Sequence, residues 1–215
     1  MINFLIEIDN KNEEILKLIL DKFETFNRFL KNINKHIITE ELLYDNISST
    51  NDEYELYFKS VYELIDDYFY NPYGININKS LLLHFNDLIN KNDSFRDKNI
   101  IHRHFLHEVS DFKVINSEVD YIFSNFDNAK FTTLENYAFL IYHLFKTYPF
   151  LNSLAIRMVG NLYLLKNDYL PFILSSKFKS EYYYMFQYDF PRFKESFLKL
   201  ILRSFDLTSK SLGSI

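Results

Sequence analysis

Apolar residues recur along this chain mostly at spacings of three and four. Ile15, Leu18, Ile19, Phe23, Phe26, Phe29, Leu30 and Ile33 set the rhythm first, and it predicts an amphipathic helix over about residues 11–34. A shorter helix follows from Thr39 to Ile47. The polar run Ser48-Ser49-Thr50-Asn51 interrupts the pattern before Tyr54, Tyr57, Phe58, Val61, Leu64, Ile65 and Tyr68 begin a third helix. Asn71-Pro72-Tyr73-Gly74 ends it as a turn, because proline and glycine together punctuate a helical pattern. Leu81, Leu82, Phe85, Leu88 and Ile89 then mark a fourth helix over Ser80 to Asn90.

Between Phe95 and Asn116 the period changes. Ile100, His102, His104 and Leu106 alternate with Ile101, Arg103 and Phe105, and Phe112 to Ile115 form another short apolar run, so a small β-hairpin is expected there. The helical period returns with Val119, Ile122, Phe123 and Phe126, and again with Leu134, Tyr137, Ala138, Ile141, Leu144 and Phe145. Ala155 to Leu165, Glu181 to Gln187 and Arg192 to Phe205 complete a mainly α chain. With 215 residues and no linker-like stretch or internal repeat, one structural domain is expected: N-terminal helices over 1–75, a core over 76–205 and a flexible tail over 206–215.

Composition removes several function classes. The chain is 47% hydrophobic and 25% charged, well outside the range of disordered chains. It has no cysteine, which excludes disulfides, thiolate nucleophiles and Cys-ligated zinc and fits a cytoplasmic address. The apolar run Ile2 to Ile8 is too short and too interrupted for a signal peptide or a membrane span, and no later segment reaches a spanning length, so no membrane role is expected. A net charge of −5 without a basic patch argues against nucleic acid as a partner. The aromatic content of 19% sits alongside many Asn, Lys, Ile and Asp and reads as a compositional habit.

From Thr133 the chain reads TLENYAFLIYHLFKTYPFLNSLAIRMVGNLYLLKNDYLPFIL. This resembles the Fic family at its defining place, where a helix leads into the motif HPFxxGNGRxxR and a second helix ends in a Tyr-Pro turn. Pro149-Phe150 match the motif's Pro-Phe, Asn161 to Lys166 and Tyr169 to Pro171 match the downstream helix and turn, and Arg157 falls on the final arginine if two residues are deleted between. Upstream, SLLLHFNDLINKNDSFRDKNI looks like the family's preceding helix and its "YR" entry to the flap, with Phe95 and Arg96 at that entry. The expected hairpin, with Ile100, His102 and His104, then takes the place of the flap that holds target protein, and KSEYYYMFQYDFPRFKESFLKLIL resembles the closing helices. The resemblance covers about residues 77–205 and implies a Fic-like helical domain with a small hairpin flap.

Most members of that family transfer AMP from ATP to a protein hydroxyl, with the motif histidine as general base. Here that position is Tyr148, a phenol whose ordinary pKa near ~10 makes it a poor base at neutral pH. The family's Mg²⁺-holding acid corresponds to Leu151 or Asn152, neither a carboxylate. Glycines that let backbone amides cradle phosphate are missing too, since the only glycines are Gly74, Gly160 and Gly213. Asn152, Ser153 and Arg157 are what remains of a cofactor site; Ser153 reads either as a phosphate contact or as a helix N-cap, and Arg157 either as an anion contact or as a solvent-facing cation. His102 and His104 share one strand face, which permits metal binding, but no third ligand converges in the sequence and no metal site is assigned.

Many Fic proteins also carry an inhibitory helix with the pattern [ST]xxxE[GN]. Ser49 to Glu53 fit it except at the last position, Tyr54, while Thr50 to Glu53 equally fit a capping box for the third helix. The resemblance therefore implies a degenerate Fic-domain protein without cofactor, acting by protein binding as a regulator or antitoxin-like partner of an active Fic enzyme or of its target. The alternative is a protein adenylyltransferase, or another transferase with a phosphate-bearing donor, that uses ATP and Mg²⁺ in an unusual site.

Overall fold

A computed structural model of the chain describes residues 72–100, 109–150, 153–169, 172, 174 and 178–212, with the backbone alone over 205–212, and also residues 13–15, 17, 18 and 21. The expected helices over 39–47 and from Tyr54, with Ser49 and Glu53, lie outside the described residues, as do His102, His104 and Asn152. The described residues of the first expected helix are helical, and Ile15 packs on the core.

A 3₁₀ turn at Pro72–Gly74 precedes α1 (Lys79–Asn90); a second, Phe112–Val114, runs into α2 (Ile115–Asn125). There follow α3 (Thr133–Thr147), α4 (Leu154–Lys166), α5 (Lys179–Met185) and α6 (Phe190–Leu212). Helix α3 packs against α2, α4 and α6, and α4 against α1 and α3. Both α3 and α4 are buried around most of their circumference, which is what the near-continuous apolar sequence of each requires of a central helix.

Local chemistry sets the helix ends. The Asn78 side chain accepts the Leu81 N–H at 3.0 Å to start α1. Thr132 and Glu135 form a reciprocal capping box at the start of α3. Glu135 is also held by Lys194 of α6 at 3.0 Å, with the lysine side chain only 5% exposed, so one carboxylate ties the cap to the neighbouring helix. The aromatic residues fill the seam between α3, α5 and α6, where Phe145 stacks on Phe186 at 4.4 Å and Phe193 on Phe197 at 5.1 Å. Each such buried ring contributes on the order of 1.5–3 kcal/mol by removal from water. What composition suggested was a habit is the substance of the core.

Two expectations are corrected. The run Phe112 to Ile115, expected as an arm of the hairpin, is 3₁₀ turn and helix start. Asn99 Oδ1 accepts the Phe112 N–H and Asp111 Oδ1 accepts the Lys113 N–H, both at 2.9 Å, so side chains take the donors a β-ladder would need. At the other end, the backbone is helical through Leu212, so the expected tail from 206 begins as helix. A helix already nucleated adds one hydrogen bond per residue and continues past the end of its apolar pattern.

Candidate functional site

The turn between α3 and α4 carries the residues singled out in the sequence. Helix α3 ends at Tyr148, whose N–H reaches back to the Leu144 carbonyl at 2.8 Å and whose backbone is left-handed, with φ of 46°. A non-glycine residue in that region costs roughly 1–2 kcal/mol, so the surroundings must hold it there. They do so chiefly through Arg96. Its Nε donates to the Tyr148 carbonyl at 2.9 Å, its Nη2 to the Thr147 carbonyl at 3.4 Å, and its backbone N–H to the Pro149 carbonyl at 2.9 Å. These are the carbonyls that a helix C-terminus leaves without internal donors, and a cation there also opposes the helix dipole.

The same guanidinium binds the Lys98 carbonyl at 2.8 Å and the Ser110 carbonyl. Arg96 is 7% exposed, and burial lowers its pKa against the opposing influence of Asp111 and Glu118. Glu118 joins the cluster by accepting from the Ser110 and Thr147 hydroxyls. Phe95 packs on Phe150 with ring centroids 5.6 Å apart, so the Phe95-Arg96 pair grips the Tyr148-Pro149-Phe150 turn with a ring and a guanidinium together. Ile100 is partly buried against the core.

The Tyr148 ring lies inside, 3% exposed, and burial pushes its phenol up to about 12, with Tyr183 adding to the shift and Arg157 opposing it. Ser153 stands at the N-cap position of α4 but makes no side-chain cap bond there, since its backbone (φ −100°, ψ 5°) is not the extended form that aims a hydroxyl at the first turn. Arg157, one turn into α4, is partly buried, and its Nε has no hydrogen-bond partner. The Tyr182 hydroxyl is also buried without a partner. The guanidinium acts electrostatically on Tyr137, Tyr148 and Tyr182, opposing the rise that burial imposes on each phenol. Arg157 is therefore close enough to three buried tyrosines to act on each, while remaining partly exposed. Among the described residues, no three His, Asp or Glu side chains converge to hold a metal ion.

Sequence reasoning missed Asn161. Its carboxamide pairs with Phe172 in both directions, donating to the carbonyl at 3.2 Å and accepting from the N–H at 3.0 Å. It thereby fixes the chain that follows α4 against the helix carrying Arg157. A lone amide inside the apolar run Val159 to Leu165 was the available signal, because a buried carboxamide requires partners. Ser110 and Glu118 gave no comparable signal.

The arrangement of helices has counterparts among solved structures. A Fic domain-containing signaling protein from Bacteroides thetaiotaomicron superposes with a TM-score of 0.69 over 93% of this chain and 98% of its own, at 13% identity. Fic-1 from C. elegans gives a TM-score of 0.70 over 94% of this chain and 72% of its own, also at 13% identity. This chain has the Fic fold. No family model matches the sequence, and no curated protein matches it. Within the Fic fold, the Tyr148 turn joins the two central helices, α3 and α4, and Phe95-Arg96 close on it from the end of the segment after α1. No helix among the described residues is long and apolar enough to cross a membrane.

Proposed function

We propose that this chain is a degenerate Fic-fold protein of the cytoplasm that does not transfer nucleotide and acts by binding protein, as a regulator or antitoxin-like partner of an active Fic enzyme or of that enzyme's target. The state of Tyr148 carries this reading. A general base must accept a proton near neutral pH and reach its substrate, whereas this phenol is 3% exposed and held protonated up to about pH 12. Electrostatic support for a transferring phosphoryl group is equally thin. Position 152 is an asparagine, no glycine lies between Tyr148 and Val159, and Glu118 is engaged by Ser110 and Thr147. A magnesium nucleotide does not fit such a donor set, and no transfer step is assigned.

Calorimetric titration with ATP and Mg²⁺ tests the reading, with binding no tighter than about millimolar expected. A micromolar dissociation constant would contradict it. The substitution Tyr148→His asks whether the base is the sole defect. A restored general base contributes roughly 10²–10⁴ in rate only where the phosphoryl group is already stabilised, so the variant is expected to label no protein from labelled ATP, GTP, CTP or UTP in a cell lysate. Labelling by the variant, with the fold unchanged, would show a dormant enzyme.

One observation favours the second reading, an adenylyltransferase or other transferase with a phosphate-bearing donor. Arg157 Nε and the Tyr182 hydroxyl are both buried without partners, and buried polar groups normally find them. A phosphate or carboxylate reaching Arg157 would supply the acceptor its Nε lacks. Under that reading Arg157→Met abolishes the micromolar binding of ATP that the calorimetric titration would then detect.

A further inference from the structure

Arg96 binds two parts of the molecule with one rigid group. On one side are the carbonyls of Thr147 and Tyr148, reached by Nη2 and Nε, with the Pro149 carbonyl on the Arg96 backbone N–H. On the other are the carbonyls of Lys98 and Ser110, reached by Nη1 and Nη2. Ser110 returns to the same helix end, since its N–H donates to the Lys146 carbonyl at 3.4 Å and its hydroxyl shares Glu118 with that of Thr147. Among the described residues no carboxylate lies within ion-pair distance of the guanidinium, so its hydrogen bonds there go to backbone carbonyls, while Asp111 and Glu118 act on this 7% exposed cation from farther off. The five donors of a guanidinium lie in one plane at fixed angles. If one carbonyl group moves, the fork must turn, and its remaining donors then leave their partners inside a region with little water to replace them. The bonds are therefore made or lost as a set.

We infer that Arg96 joins the chain at Lys98 and Ser110 to the Tyr148 turn as a single conformational unit, so that whatever displaces one displaces the other. Tyr148 is the compliant end of this unit, because its left-handed backbone relaxes once the Arg96 bond to its carbonyl is gone. A partner engaging the chain around Ser110 would change the site turn, and a ligand seated at the turn would change the chain around Ser110 by the same coupling free energy. The coupling is a property of this chain and goes beyond the proposed function, holding whether the site binds protein or nucleotide.

Three hydrogen-bonded amides report on it directly: Arg96 N–H on the Pro149 carbonyl, Ser110 N–H on the Lys146 carbonyl and Tyr148 N–H on the Leu144 carbonyl. Native-state hydrogen exchange in low urea, read residue by residue on the full chain, is expected to show the three opening with one free energy and one urea dependence. In Arg96→Lys, which keeps the charge and loses the fork, all three are expected to exchange faster by a common factor of roughly tenfold or more. The Phe131 amide, bonded to the Asn128 carbonyl in a turn away from Arg96, serves as the unaffected control. A merely structural arginine would leave the three amides with separate opening energies, and that result, or an unchanged variant, overturns the inference. Should Arg96→Lys fail to fold, the urea dependence of the unsubstituted chain decides alone.

Discussion

Gly160→Val is expected to lower the stability of the chain by about 3 kcal/mol, at the upper end of what overpacking a core normally costs. A Cβ at position 160 would lie 2.7 Å from Ile141 Cδ1 and 2.7 Å from Tyr137 Cε2, closer than real side chains approach. Neither neighbour has room to withdraw, since Ile141 is 0% and Tyr137 1% exposed. Helices α3 and α4 would have to move apart, and valine adds two methyl groups to the clash. Alanine should cost less, because its better helix propensity returns about 1 kcal/mol. Urea denaturation gives the comparison, and for a chain of this size the valine variant should melt roughly 6–12 °C lower. Equal stability of the glycine and valine proteins would mean that α3 and α4 do not approach this closely. The consequence reaches the site, because Gly160 lies one turn beyond Arg157 and sets how near that guanidinium comes to the tyrosines of α3.

Acidification from pH 6.5 to 4 should remove about 3 kcal/mol of stability through His143. Its imidazole packs among the rings of Phe139 at 4.3 Å, Tyr142 at 5.1 Å and Phe190 at 5.6 Å. Burial among them, with a smaller contribution from the Lys146 charge, lowers its pKa from 6.5 to about 4. The unfolded chain therefore takes up a proton at this residue below pH 6.5 that the folded chain refuses until about pH 4. Stability is fully present above the unfolded value and falls as pH drops through the window, with a slope approaching about 1.4 kcal/mol per pH unit. In His143→Phe the slope assigned to this residue should vanish, leaving only the contribution of the carboxylates. Urea midpoints measured across the window distinguish the two proteins, and identical pH profiles would show that His143 stays solvated in the native state. The place of His143 in the aromatic seam is one of packing.

The helices were legible because their apolar spacing is a property of each segment by itself. Lys79–Asn90, Thr133–Thr147 and Leu154–Lys166 lie within a residue or two of where periodicity placed them. The apolar run at 112–115 carried less, because short runs do not distinguish strand from turn, and Asn99 and Asp111 decided it by taking its N–H groups; the alternation over 101–106 lies outside the described residues. In the site, Pro149-Phe150 marked the turn and Phe95-Arg96 its entry, yet nothing in the order of residues says that a guanidinium at 96 meets carbonyls at 147 and 148. Ser153 stood where a capping serine belongs, and the backbone angles at that residue withheld the bond. Arg157 was left between anion contact and solvent, and its partly buried place near Tyr137, Tyr148 and Tyr182 is a fact of packing that spacing along the chain does not carry.

What the sequence determined by itself is whatever depends on residue type and local spacing: a mainly helical chain without cysteine chemistry, a tyrosine before Pro149-Phe150, and no glycine between Tyr148 and Val159. Those limits hold in any fold. Tertiary structure decided the properties that depend on environment. Burial makes Tyr148 and His143 resist ionisation, and close helix approach makes any side chain larger than hydrogen at Gly160 meet Ile141 and Tyr137. Convergence of distant backbone carbonyls turns Arg96 from one of many surface-type cations into the fastening of the site. A pKa, a steric gap and a shared hydrogen-bond donor are relations between residues far apart in the chain, and only the packed helices bring their members together.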